Sequence, residues 1–386
     1  MSVYDYDVVI VGGGIVGLTF ANLLRESGLR YAVIEKKEPL LEFDSSIPDW
    51  QVVAVNHYSQ RVFEKLGVWE NIQSLGVSPY YDMHVWDRKG KGDINFSASE
   101  IGKENLGHII EKRVLVKALW LGEAVHCPTQ INKLIKTPNG ITIECEDKTL
   151  NTKLLVAADG AHSWVREELD FSLKKQGYQQ SAFVGTVRTE KPHARTAWQV
   201  FLPDGTLAFL PLKDPYISSI VWAIKTSCAD VLEKKDRAGF STSITKASQE
   251  KLGNVTLESE PVKYPLMERH ADVYVKPHVA LIGDAAHTIH PLAGQGLNLG
   301  IKDANELYTV IMEAYEKQRD ISALHTLRKY QRARRADNLI TQKAMMGFKH
   351  LFTERLPLIV RLRSLGLNGV DRFSALKNLF IRHALG

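Results

Sequence analysis

Between Val279 and Asn305 the chain reads VALIGDAAHTIHPLAGQGLNLGIKDAN. Asp284, His287, His290, Gln295 and Asn298 fall there among glycines and other small residues. That is more polar chemistry than a simple connection needs. Gly294 and Gly296 let another molecule approach the main chain closely. The free N–H groups that open the following helix favour negative charge. The stretch therefore predicts a site for something flat and partly anionic. Val279 to Ile282 reads as the buried strand that carries it, ending in a tight Gly-Asp turn.

A second chemical signal opens the chain. Asp7 to Val11 is a short apolar strand, followed at once by Gly12-Gly13-Gly14-Ile15-Val16-Gly17 and a helix from Leu18 to Ser27. A second strand, Tyr31 to Ile34, ends at Glu35, eighteen residues after Gly17. GxGxxG alone is weak evidence, but here the strand, the turn, the helix and the acid stand in the order a dinucleotide site requires. Gly12 makes the turn, Gly14 admits a pyrophosphate, Gly17 lets helix and strand pack, and Glu35 accepts from ribose hydroxyls. A third turn follows the strand Leu154 to Ala158, where Asp159-Gly160 precedes Arg166 at the entry to a helix.

Several elements must position these turns. Val52 to Leu66 reads as a helix stopped at Gly67, and His108 to Leu121 as another, with Arg113 near its start. That arginine suits either the phosphate or ring edge of a ligand or the open surface. Tyr80 to Phe96 reads as a hairpin. From Phe183 to Thr226 the alternation predicts an antiparallel sheet. Its apolar Trp198, Phe209, Pro211 and Trp222 either fill a core or line an apolar substrate cavity. Ala229 to Leu252 reads as helical, and the chain after Asn305 as helical with a break at Pro357.

Composition narrows the class. At 386 residues, 44% hydrophobic and 24% charged, the chain predicts two domains of ordinary globular make-up. No apolar run is long enough for a spanning helix, and the N-terminus lacks the features of an export signal. Cys127, Cys145 and Cys228 form no metal spacing, so no metal site is expected, and a reducing cytoplasm suits them. The net charge of +5 is matched by the end of the chain: residues 347–386 hold seven Lys or Arg against two acids. The basic residues are not interleaved with aromatics as in nucleic-acid binders. A basic amphipathic tail fits a membrane surface, an acidic partner or a solvated helical face.

With a single GxGxxG, a bound FAD accounts for more of the sequence than NAD alone. Its ADP half uses the first glycine turn and Glu35. Its far end falls to Asp284 and the Gly294-Gln295-Gly296 helix start, whose dipole would stabilise negative charge on a reduced flavin.

Three motifs, GGGIVG, LLVAADGAHSWVR and GDAAHTIHPLAGQGLNLGIKD, make the chain resemble the ubiquinone-biosynthesis hydroxylases (the UbiH family) within the class A flavoprotein monooxygenases. VFLPDGTLAFLPL and YPL extend the likeness to essentially the full length. The resemblance implies a Rossmann-like α/β FAD-binding domain of the GR2 type, an inserted antiparallel-sheet substrate domain and C-terminal helices, as in p-hydroxybenzoate hydroxylase. The corresponding division is 1–78, 105–175 and 265–320 for FAD, 79–104 and 176–264 for substrate, and 321–386 for the helices.

The same likeness implies cofactor contacts at Glu35, Lys36, Gln51, Arg113, Asp159, Asp284, Gly294, Gln295, Gly296, Leu297 and Asn298, and puts Pro291 beside the reacting flavin carbon. Gln51 departs from the family's Asp-x-Arg-Val pattern. The implied reaction is ring hydroxylation of a polyprenylated phenol or quinol: NAD(P)H reduces the flavin, and O2 reacts through a C4a-hydroperoxide. His287 and His290 are the candidate bases, or structural histidines. The implied partners are other ubiquinone-biosynthesis proteins and, through the basic tail, the inner face of the membrane, with the enzyme itself cytoplasmic. The alternatives are hydroxylation of a small soluble aromatic, which would need an arginine for a substrate carboxylate, and a non-catalytic flavoprotein subunit.

Overall fold

The computed structural model describes residues 4–45, 47–89, 92–288 and 295–353. Its first sheet contains eight strands. Parallel strands β1 (Tyr6–Val11), β2 (Tyr31–Ile34), β8 (Val125–His126), β11 (Thr149–Ala157) and β19 (Val279–Leu281) form its centre. Antiparallel β9 (Ile131–Lys136), β10 (Ile141–Cys145) and β18 (Val275–Lys276) extend it. Val8, Val9 and Ile10 are wholly buried, as a parallel strand covered on both faces requires. The late strand β19 pairs with β11, which pairs with β1. The three turns of the sequence therefore meet at one edge of this sheet, at the C-terminal ends of its parallel strands.

Helix α1 (Ile15–Leu24) follows β1 and packs against α8 (Gln295–Glu316), which in turn packs against α9 (Leu324–Thr353). Short helices α4 (Lys112–Leu119) and α3 (Trp69–Leu75) continue from α1, and α5 (Trp164–Glu168) packs on β9.

The second sheet has nine strands. Its path runs β20 (His287–Thr288), β17 (Val262–Ala271), β12 (Leu173–Thr189), β15 (Ile217–Lys225), β14 (Gly205–Pro211), β13 (Thr196–Leu202), β5 (Asp82–Asp87) and β6 (Asp93–Ser97), with β16 (Val255–Leu257) beside β12. All neighbours are antiparallel except β13 with β5. Helices α6 (Thr226–Glu233) and α7 (Arg237–Ala247) close one face, where Phe183, Leu207, Phe209, Ile220 and Trp222 join Phe240 and Ile244 in a core.

A third sheet, β3 (Val52–Val55), β7 (Gly107–Glu111) and β4 (Ser78–Tyr80), lies between the other two. It corrects two expectations. Residues 52–66 are not one helix: Val52–Val55 is β-branched apart from Ala54 and extends as β3. Asn56 then caps α2 (His57–Lys65) by accepting from Ser59 N at 3.0 Å. Likewise residues 108–121 divide into β7, paired with β3, and α4. No helix of the described residues is long and apolar enough to cross a membrane. The basic tail beyond Thr353 lies outside the described residues.

Candidate active site

At the first turn, Gly12 has φ +111°, and a Cβ there would stand 2.5 Å from the Ala158 carbonyl oxygen. A Cβ on Gly17 would stand 2.0 Å from the Gly12 oxygen, so that glycine is required for packing. Gly14 differs: a Cβ would meet nothing within 4 Å. It caps α1 with no side chain over the helix's unpaired N–H groups, which leaves a cradle open to an anion. Beside it, Glu35 accepts from Gly13 N at 2.6 Å and from Lys37 N at 2.9 Å. Each carboxylate oxygen keeps accepting capacity for ribose hydroxyls. Lys36 is exposed next to it.

The second and third turns are joined by Arg166. This side chain is only 1% exposed, donating to Ala161 O and to Ala285 O, both at 3.0 Å. It ties the Asp159-Gly160 turn to the turn that bears Asp284. Asp159 Oδ2 accepts from Val165 N at 3.1 Å, while its buried Oδ1 has no partner among the described residues. Burial raises its pKa, against hydrogen bonds from Ser163 and nearby backbone. Asp284 is exposed at the cleft, yet protein crowds it on the other sides. That enclosure raises its carboxyl above the ordinary range, opposed by His287, Arg269 and Lys112. Here the solvent-open surface of the carboxylate matters more than the enclosure, because a ligand would enter from that side.

Asp303, which the sequence reading did not single out, organises the third turn from below. It is wholly buried on α8. One carboxylate oxygen accepts from Gly283 N at 3.1 Å and lies 2.5 Å from His287 Nε2; the other accepts from Arg334 Nε at 2.8 Å. His287 is thus held in a structural pair and only 1% exposed. The available signal was positional: Asp303 lies with Gly300, Ala304 and Leu307 on the buried stripe of α8.

Asn298 likewise works as a fastener. Its Oδ1 accepts from Asn56 N at 3.1 Å and from Ser59 Oγ at 2.7 Å, and its Nδ2 donates to Ala54 O at 2.9 Å. It locks the first turn of α8 to β3 and α2. At Gly296 beside it a Cβ would meet no described residue within 4 Å, and Leu297 is half-buried. His290, Pro291 and Gly294 lie outside the described residues, as does the Gln295 side chain.

Arg113 is turned to local work. Its Nε donates to Glu111 Oε2 at 2.7 Å, one Nη donates to Ile47 O at 2.5 Å, and its guanidinium lies 4.3 Å from the Phe43 ring. Gln51 N donates to Asp49 Oδ1 at 3.2 Å, and its carbonyl accepts from Lys112 N at 2.8 Å. The cations that act on Asp284 are instead Lys112 and Arg269.

The two faces of the second sheet differ. Phe209 and Trp222 point toward α6 and α7 in the closed core, with Trp198 packed at its margin and stacked on His84. Pro211 has the same alternation as Phe209 and is buried. The opposite face of β12, β15 and β14 presents Val184, Val221, Ala208 and Leu210, all half-buried although their strands are central. Leu210 shares the buried cluster of Ile109, Leu212 and Ile217 with Val52 and Ala54 of β3, the strand that holds Asn298. Trp50 stacks on the exposed Tyr264 with ring centroids 6.0 Å apart. The result is an apolar wall whose Leu210 end adjoins β3, the strand fastened to the start of α8.

Comparison with known proteins agrees with this geometry. The family described as FAD binding domain matches residues 5–343. The 3-demethoxyubiquinol 3-hydroxylase of Escherichia coli K12 is 35% identical over 98% of each chain. The ubiquinone hydroxylase UbiL of Rhodospirillum rubrum is 32% identical, covering 98% of this chain and 89% of its own. The crystal structure of p-nitrophenol 4-monooxygenase PnpA from Pseudomonas putida superposes with a TM-score of 0.79 over 98% of both chains, at 17% identity. That last likeness speaks for the fold alone. The open cradle at Gly14, the anchored Glu35 and the solvent-facing Asp284 on one line of turns fit FAD. The chain belongs to the FAD-dependent aromatic-ring monooxygenases of the ubiquinone-biosynthesis hydroxylase family.

Proposed function

We propose that the protein hydroxylates the aromatic ring of a polyprenylated phenol or quinol, using NAD(P)H as electron donor and O2 as co-substrate. The observation that carries this reading is the wall of Val184, Ala208, Leu210 and Val221, which bears no charged side chain at its centre. A soluble aromatic acid would need a cation there, because an unpaired carboxylate is costly to bury. The names of the Escherichia coli and Rhodospirillum relatives support a quinone-pathway substrate.

Bound FAD would supply electron transfer from the donor and activation of O2. The chain's own work is to bind, orient and exclude water. Gly14 with the α1 N-terminus, and Glu35, would hold the ADP half. Asp159, Asp284, Gly296, Leu297 and Asn298 would hold or shape the distal half, with Lys112 and Arg269 supplying positive potential. The sheet wall and the Trp50–Tyr264 pair would shield the ring from water. His287, bound to Asp303, holds the turn in place and is a poor candidate for a base. Attachment to a membrane or to other pathway proteins through the basic tail belongs to the same reading, since a prenyl chain resides in lipid.

The test is NAD(P)H oxidation by the FAD-loaded protein with a prenylated phenol in detergent. The reading expects stimulated oxidation and one oxygen atom from labelled O2 in the product. Equal turnover of hydroxybenzoate, or no hydroxylated product from any phenol, would reject it.

A further inference from the structure

Across β12, β15 and β14, directly opposed residues form rows on the face turned away from α6 and α7. One row is Val184, Val221 and Ala208; the next is Thr186, Ser219 and Leu210. The first is wholly apolar. The second carries Ser219, which is wholly buried and whose hydroxyl has no hydrogen-bond partner among the described residues. A buried hydroxyl without a partner is destabilising, and one on the wall side of the sheet can be satisfied by a ligand.

The row's position says which part of a ligand. Leu210 opposes Ser219 and, like Val52 and Ala54, packs on the buried cluster of Ile109, Leu212 and Ile217. The Ala54 carbonyl accepts from Asn298 at the start of α8. Ser219 therefore stands at the end of the wall nearest the glycine-rich helix start, where the reacting ring would lie. Ser218 provides an internal contrast. Its hydroxyl is also buried without a partner, but it opposes Pro211 and Val187 on the face closed by α6 and α7.

We propose that the Ser219 hydroxyl hydrogen-bonds the ring oxygen of the substrate, and so selects which ring carbon faces the flavin. This rests on the phenol or quinol reading above. The wall holds the prenylated body by apolar contact, which is non-directional. A single hydroxyl at its inner end supplies the direction that apolar contact lacks.

The experiment compares FAD-loaded wild type with Ser219→Ala, Ser219→Cys and Ser218→Ala. Binding of 2-geranylphenol and of geranylbenzene, which lacks the oxygen, is titrated by the change in flavin absorbance. Product formed per NAD(P)H oxidised is measured for the phenol, and FAD content checks folding. Ser219→Ala is expected to weaken the phenol about three- to tenfold and leave the hydrocarbon unchanged. Coupling should fall and product regiochemistry should broaden. Ser219→Cys, similar in size with a weak donor, should lose the same phenol preference, and Ser218→Ala should retain it. If wild type prefers the phenol and Ser219→Ala keeps that preference, the Ser219 assignment fails while the substrate class stands. Loss of the preference in Ser218→Ala would also overturn it. If wild type neither binds nor hydroxylates the phenol, the substrate class fails and the assignment with it.

Discussion

His287 Nε2 stands 2.5 Å from Asp303 Oδ2, and both side chains are shut away from solvent. Gly283 N donates to the same oxygen, while Arg334 and Asn338 of α9 donate to the other. One carboxylate thus binds the turn that presents Asp284 to a helix near the far end of the chain. Burial alone would raise the Asp303 pKa; His287 and Arg334 reverse that and hold it below the ordinary carboxylate value.

Asp303→Asn removes the buried carboxylate that Arg334 and His287 share, leaving Arg334 only the Asp337 carboxylate among the described residues, and should destabilise the protein by about 3 kcal/mol. Denaturant titration of the variant checks this, and FAD affinity should fall with it because the Gly283-Asp284 turn loses its anchor. A loss under about 1 kcal/mol would mean that the turn is held by other contacts.

Stability should also decline in mild acid through His270. Burial, then the neighbouring His287 and Arg335, lower its pKa from 6.5 to about 4, and neither ring nitrogen has a partner among the described residues. The folded state therefore resists a proton that the unfolded state accepts. The contribution is fully present above pH 6.5 and is lost as the pH falls toward 4, by roughly 3 kcal/mol in total. Asp303 acts in a different window: its contribution is present above about pH 4 and is lost below that as pH falls through its depressed folded value. Denaturation midpoints between pH 7 and 4 should show a shallower slope in His270→Phe; an unchanged slope would exclude His270 as the source.

Two glycines of one motif should fail differently. Gly17→Ala forces a carbon to within 2.0 Å of the Gly12 oxygen and should prevent folding. Gly14→Ala meets nothing within 4 Å, so the apoprotein should fold. Its methyl group intrudes where a pyrophosphate would approach, and FAD affinity should drop about tenfold or more. Tryptic stability and flavin titration separate the two outcomes.

The faces of the second sheet should separate stability from substrate affinity. Phe209→Ala hollows the closed core and should cost about 3–5 kcal/mol. Leu210→Ala, on the half-buried wall, should cost roughly 1 kcal/mol while raising KM for a prenylated phenol severalfold. Comparable stability losses in both would remove the distinction between the faces.

Gln51→Arg should tighten FAD binding, since Gln51 sits on β3's approach beside Lys112, one of the cations acting on Asp284. A charge-assisted contact is worth about tenfold in Kd. No tightening would indicate that Lys112 and Arg269 already satisfy the phosphates.

The local sequence determined much of this protein. A strand, GGGIVG, a helix and Glu35 specify a nucleotide turn because each residue's own conformational demands dictate it. The Asp159-Gly160 and Gly283-Asp284 turns were legible for the same reason, and so was the antiparallel alternation of 183–226. The two strands within 52–66 and 107–121 were not, because their extended state depends on pairing with each other across more than fifty residues. Nor could alternation tell which face of the second sheet would be covered. Trp198, Phe209 and Trp222 were natural candidates for a cavity, and only the packing of α6 and α7 turned Phe209 and Trp222 into core and left Trp198 at its margin. The sequence leaves His287 as either a base or a structural histidine, and Asp303, sixteen residues on, places it inside a buried network. Distance along the chain hides such partners; the tertiary structure decides them, since burial of a charge is tolerable only where its counter-charge arrives from another element.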